Sequence, residues 1–344
     1  MPFTTDQLIR GADYTIKTFD KKDPIDQVNL KHTTLDWLIS NKVASTYGNG
    51  SFKEPIYVDN GSNTQPYFGA DQVTYNERDP ARWTDFTYFN YHDGFWLDED
   101  RLLQNEISMS DDGGAVPSAG EKERLINLLE TSHLALKLGH QEYLAFETLR
   151  DGSQSTKSVP GLAHIIDPSP ATGIVGGINA ATSTYWQNNA NLAFSAANIV
   201  TEMEETWKDC MRFGGKLPTA IRCGRAYYEA YGAAASTAVQ RHMTVMGKGA
   251  TTMDASIGDL NFHGIPLVWD PTFEALDTLL STTTQTKTAY FLNDSVKLRP
   301  VKGEWMRTRK PDKLPDRYVW YFGKTSKFGI TANKRNSLAV LSIS

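Results

Sequence analysis

A chain of 344 residues, 40% hydrophobic, 22% charged and 11% aromatic, is long enough for a large core over two subdomains and too apolar to be disordered. Its 35 basic and 40 acidic residues leave a net charge of -5, which excludes a sequence-reading nucleic-acid binder as the main role but leaves local phosphate contacts open. Two cysteines, Cys210 and Cys223, match no zinc spacing and no disulfide framework, and no run is apolar enough to span a membrane. The opening MPFTTDQLIRG lacks the basic and apolar regions of a signal peptide, so the expected compartment is cytosol-like.

From Thr4 to about Ser40 the chain reads as one or two short helices joined by KKDP, with Pro24 placed for a helix start. Ile25, Val28, Leu35, Leu38 and Ile39 form an apolar stripe that needs something to dock on. From Ala44 to about Trp96 the texture changes to turn formers around short alternating runs, Pro55 to Val58 and Trp83 to Tyr91, with Asn-Gly at 49–50 and 60–61. That pattern predicts one long hairpin or a pair of hairpins. An isolated ribbon is marginal in water, and this one carries many aromatic and amide side chains, so it is expected to lie across a neighbouring chain.

After a Gly-rich break, Leu125, Leu129, Leu136 and Tyr143 fall near one face of a predicted helix ending at Leu149, with Arg150-Asp151-Gly152 as its stop. Such a helix spans about 40 Å, the length of a strut. Asn191 to Phe213 then predicts a second amphipathic helix, LPTAIRCGR a buried strand and AYYEAYGAAAS a third helix. SIGDLNFHGIPLVWDP reads as strand–turn–strand, and TAYFLNDSVKLRPV and the C-terminal segment supply further strands.

Candidate sites are few. Gly161 to Asn189 crowds four glycines near His164 and Asp167, yet GIVGGIN fits neither GxxxxGK[ST] nor GxGxxG, so its glycines are expected to shape the backbone. His133 and His140 lie two turns apart without a third metal ligand, and His140-Gln141-Glu142 lacks the PCxxC half of a zinc deaminase. The run KGEWMRTRKPDK, from Lys302 to Lys313, is a cationic patch with an aromatic. No catalytic constellation emerges, and no cofactor or metal is expected. The alternatives left open are an enzyme of unrecognised family and a virion protein such as a decoration or tail protein.

The order of arm, ribbon, strut helix and α/β remainder resembles the major capsid proteins of tailed bacteriophages, the Hong Kong 97 fold family. The likeness is carried by DGSQSTKSVPGLAHIID with VGGINAATSTYW, by GGKLPTAIRCGRAYYEAYG, by LNFHGIPLVWDP, by TAYFLNDSVKLRP and by YFGKTSKFGITANKRNSLAVLS, in that order. It implies an α+β chain with an N-terminal arm at 1–45 and an extended loop at 46–96. A peripheral domain over 97–165 and about 291–344 would hold a spine helix at 121–149, and an axial domain would cover 166–290. The implied role is structural: hexamers and pentamers of an icosahedral shell around double-stranded DNA, assembled in a bacterial cytoplasm. Implied partners are further copies of the chain, a separate scaffolding protein, a portal, a decoration protein and packaged DNA touched without sequence preference. Tyr57, Tyr67, Phe68, Trp83 and Phe86 are the expected inter-subunit contacts, because aromatic side chains dominate contact energy.

Overall fold

The computed structural model describes residues 29–45, 50–98, 100, 119–213, 217–239, 260–310, 312–313 and 319–344. In chain order the main elements are α1 (Thr33–Ser40), β1 (Ser51–Tyr57), β2 (Ala81–Thr87), β3 (Phe89–Asp98), α2 (Ala119–Leu149), α3 (Leu162–Ile165), β4 (Ile174–Val175), β5 (Ile178–Asn179), β6 (Asn189–Phe194), α4 (Ile199–Met211), β7 (Ala220–Cys223), α5 (Arg225–Val239), β8 (Asn261–Phe262), β9 (Ile265–Trp269), α6 (Thr272–Leu280), β10 (Thr288–Leu292), β11 (Val296–Pro300), β12 (Arg307–Thr308), β13 (Asp312–Lys313), β14 (Val319–Ala332) and β15 (Ala339–Ile343). Two compact units emerge, one built from Asn90–Leu144 and Glu304–Lys327, the other from Lys31–Phe89, Ala145–Gly303 and Phe328–Ser344. The expected helix ahead of Leu30 lies outside the described residues.

The larger unit holds a six-stranded mixed sheet in the order β6-β15-β10-β7-β9-β8. β15 runs parallel to β6, β7 runs parallel to β9, and β10 is antiparallel to both of its neighbours. One face is covered by α4, whose Ile199, Met203, Trp207 and Cys210 recur at helical spacing, and by Tyr227 and Tyr231 of α5. Each such side chain contributes about 1.5–3 kcal/mol on full burial. β10 is buried along its whole length: Phe291 faces this core, while Tyr290 packs 6.0 Å from Phe273 of α6. Burial pushes the Cys210 thiol up to about 12 and the Cys223 thiol higher, which fits inert core thiols.

A single carboxylate joins two distant segments here. Asp270 accepts the Thr34 amide of α1 at 2.7 Å and the Thr272 amide of α6 at 2.9 Å, and His32 Nδ1 meets Thr272 Oγ1 at 2.8 Å. Orphan amides at two helix starts are thereby satisfied. Beyond α1, Val43 donates to Leu298 and Ser45 bridges Val301, so the chain enters along β11.

In the smaller unit β3, β12 and β13 all pair with β14. Phe95 and Phe322 stack at 4.9 Å, and His133 of α2 sits edge-on to both rings. Leu97 and Leu128 close this small core. His140 Nε2 lies 2.9 Å from Ser326 Oγ, so the two helix histidines serve packing. Burial holds both imidazoles below their usual range; Lys324 adds to this at His133, and at His140 Asp93 opposes it. Glu304 binds Arg307, Arg309 and Lys327, so the cationic run of the sequence is partly matched within its own unit.

Two sequence expectations need correction. Residues 191–194 belong to strand β6 and not to a helix, and the helix begins at Ile199 after a 3-10 turn. β6 is fixed by pairing with β15, some 150 positions later in the chain, a tertiary effect that outweighs local helical periodicity. The expected ribbon to Trp96 also stops earlier, since among the described residues β1 pairs with β2 alone and the next strand turns to β14.

Candidate assembly surface

β1 and β2 form an antiparallel ladder from Ser51↔Thr87 to Tyr57↔Ala81. The two-residue period of a strand divides its side chains cleanly. Phe52, Glu54 and Ile56 of β1 and Thr84 and Phe86 of β2 face inward, while Lys53, Tyr57, Trp83 and Asp85 face solvent. Of these, Phe52, Ile56 and Phe86 join Val175, Trp186 and Val301 in one apolar cluster.

Local chemistry stiffens this root. Glu54 is buried, ion-paired with Arg299 and 3.2 Å from Thr331 Oγ1, and its carbonyl accepts Thr84 Oγ1 at 3.1 Å. Asp85 donates its amide to Gly176 O at 2.8 Å, tying β2 to the β4–β5 turn. Gly176 has φ +58°, and a Cβ there would stand 2.8 Å from the Phe86 ring, so both conformation and space demand glycine. Trp186 is buried and donates Nε1–H to Val175 O at 2.9 Å, anchoring the other side of that turn. The glycine-rich stretch thus seats the ribbon. Gly161, earlier in it, presses against the Thr148 and Arg150 carbonyls, where a Cβ would come within 2.4 Å.

Beyond Val58, which still packs on the root cluster, the hairpin changes character. Polar contacts tie it together: Val58 N to Pro80 O at 2.8 Å, Asn63 Nδ2 to Thr74 O at 2.7 Å, and Gly61 N to Asp59 at 3.0 Å. Phe68 and Asp71 close a turn in both directions, Phe68 N to Asp71 Oδ2 at 2.8 Å and Asp71 N to Phe68 O at 3.2 Å, with Gly69 at φ +58°. The rings point away from the chain. Phe68 is 89% exposed, Tyr75 91%, Tyr57 and Tyr67 69% each, and Trp83 64%. Phe86, at 7%, lies inside the root.

Four of the five residues expected from sequence therefore sit on one exposed hairpin, and the fifth is turned inward. The sequence reading missed Tyr75, the most exposed ring of the segment. Its only local signal is an aromatic among polar neighbours with no alternation around it. Exposed rings on one hairpin make it the candidate association surface; covering one such ring would be worth about 1.5–3 kcal/mol. Among the described residues no group of three or more His, Cys, Asp or Glu is placed to hold a metal, and no helix is long and apolar enough to cross a membrane. His164, near the root, is held below its usual range by burial and by Arg335, with Asp167 and Asp151 opposing.

No family model and no curated protein matches this sequence. Solved structures do match in fold. The capsid asymmetric unit of cyanophage A-1(L) aligns over 94% of this chain and 95% of its own, with TM-score 0.59 and 13% identity. The capsid of Myoviridae phage XM1 aligns over 94% and 96%, with TM-score 0.54 and 11% identity. The capsid of a native GTA particle aligns over 94% of both chains, with TM-score 0.52 and 10% identity. The α+β Hong Kong 97-like fold expected from the sequence is the fold this chain has.

Proposed function

We propose that this chain is the major capsid protein of a tailed bacteriophage. It self-assembles into hexamers and pentamers of an icosahedral shell around double-stranded DNA, and its role is structural and not enzymatic. The observation that carries the reading is the alignment with capsid chains over 94% of the sequence. Residues 1–45 serve as the arm and the β1–β2 hairpin, Ser51–Thr87, as the extended loop; the unit of Asn90–Leu144 and Glu304–Lys327 serves as the peripheral domain and the unit with the six-stranded sheet as the axial domain.

The hairpin supplies the mechanism. Its root is sealed to its own subunit, and its tip offers rings that its own subunit leaves uncovered. A contact between two different patches of identical subunits repeats by rotation and closes into rings. Many modest contacts of this kind add to a tight shell while each stays reversible enough for errors to be corrected. Tyr57, Tyr67, Phe68 and Trp83 make these contacts, together with the exposed Tyr75. A scaffolding protein, a portal and a decoration protein are the expected further partners, in a bacterial cytoplasm before the shell joins the virion.

Size-exclusion chromatography of the purified full chain, followed by negative-stain electron microscopy, tests the reading. Closed shells or capsomers are expected, alone or after co-expression with a scaffolding protein. A chain that stays monomeric at every concentration in both settings overturns it.

A further inference from the structure

In the smaller unit, α2 and β14 carry two rows of side chains that run in step. His133, Lys137 and His140 share one face of α2 at helical spacing, and Phe322, Lys324 and Ser326 alternate onto one face of β14. The rows meet at both ends: the His133 and Phe322 rings lie 5.5 Å apart, and His140 Nε2 lies 2.9 Å from Ser326 Oγ. Between those contacts Lys137 stands about 6 Å along the helix from His133, and Lys324 about 7 Å along the strand from Phe322. Two lysines are therefore set against each other.

Their surroundings do not neutralise them. Among the described residues neither lysine has a carboxylate within ion-pair distance. Asp93, on the adjacent strand β3, acts on His140, and its Oδ1 takes the Gly94 amide at 2.8 Å. Another basic group stands close by: His92 lies against Gly323, where a Cβ would come 2.8 Å from its Nε2. Burial lowers the Lys324 pKa, and the Lys137 charge lowers it further. Lys137 is exposed and Lys324 half-buried, so an anion can reach the pair from solvent. Like charges fixed on two packed elements repel, and an anion between them replaces repulsion with attraction.

The chemistry favours phosphate. Carboxylate recognition prefers the planar fork of arginine, whereas an ammonium binds phosphate as a point charge. The arginines of the neighbouring strand segment, Arg307 and Arg309, are already held by Glu304, which leaves the lysines to act here. We propose that Lys137 and Lys324 hold backbone phosphates of the double-stranded DNA that the shell encloses. This rests on the shell reading and assigns its DNA contact to one face of α2 and β14, with no base read.

A salt titration tests the contact. The full chain, kept below the concentration at which it assembles, is mixed with a short fluorescein-labelled DNA duplex, and anisotropy is followed from about 50 to about 200 mM KCl. Lys137→Gln and Lys324→Gln are each expected to weaken binding about fivefold and to lower the slope of log K against log salt by about 1. Lys324→Arg is expected to keep binding, and Lys208→Gln, an exposed lysine of α4, to change nothing. Neither glutamine variant is expected to lower the urea midpoint, because removing one charge relieves the other. Affinity and slope unchanged in both variants overturn the site and leave the shell reading intact. A polyglutamate peptide that competes as well as unlabelled duplex at equal charge also overturns it, and assigns the face to an acidic protein segment. Shells are scored separately by negative stain: a wild-type chain that never forms them overturns the enclosing role, and this assignment with it, whatever the slopes.

Discussion

The two ends of the β1–β2 hairpin are built from similar residues and used in opposite ways. At the root Phe52, Ile56 and Phe86 are inside the subunit, and a buried carboxylate is matched by Arg299 and Thr331. At the tip Tyr67, Phe68 and Tyr75 are outside it, and hydrogen bonds alone hold the turn. The same aromatic chemistry is buried by the chain's own residues in one place and left exposed in the other. What separates the two is whether the chain supplies a complementary surface of its own.

The largest break in that contrast comes from the root. Phe86→Ala removes a ring packed on Gly176 and is expected to cost the subunit about 3–5 kcal/mol, read as a drop in urea midpoint. Glu54→Gln leaves the Arg299 charge without its counter-ion and is expected to cost about 3 kcal/mol in the same assay. Both act on folding before assembly is attempted. The tip should behave in reverse: Phe68→Ser with Tyr75→Ser is expected to move subunit stability by no more than about 0.5 kcal/mol, yet to abolish shells in negative stain. Replacing residues 59–79 with Asn-Gly should likewise leave a folded, non-assembling subunit. A deletion reaching back to Ser51 would not separate the two functions, because β1 belongs to the core of the unit.

The smallest effect is a dependence on pH at the root. His164 titrates below its usual range in the folded chain, so the unfolded chain takes up the proton first as pH falls through about 6.5. Its contribution is present above that pH and is lost on acidification. Asp151 and Asp277 have lowered carboxylate pKa values and keep their contribution until pH approaches about 4. The urea midpoint should therefore decline between pH 7.5 and 5.5, and His164→Gln should flatten the decline. An unchanged slope in that variant would move the effect to His133 and His140.

The sequence made the strut helix plain, because leucines recur on one face up to Leu149 and a stop follows; the helix runs Ala119–Leu149. It also made the glycine junction legible, since glycines without a phosphate motif point to backbone shape, and Gly176 is fixed by a ring only its size admits. Strand β6 was illegible for a physical reason. Its partner lies at the other end of the chain, and Ala193 adopts φ 57° with no glycine to announce it. Trp83 and Phe86 show a further limit. Alternation says that two faces exist, but which face is buried is decided by Gly176, Val175 and Val301, far from β2 in sequence.

Under the proposed assembly, the polar rungs of the tip bear on how fast subunits meet. Asn63 to Thr74, Val58 to Pro80 and the Phe68–Asp71 turn fix the backbone before any partner arrives. A floppy loop of this length would lose conformational entropy at every collision that led to binding, on the order of 1 kcal/mol for each residue ordered. Here that loss is incurred once, when the subunit folds. In the proposed shell, association then starts from a backbone already set, so weak side-chain contacts suffice and each remains easy to release.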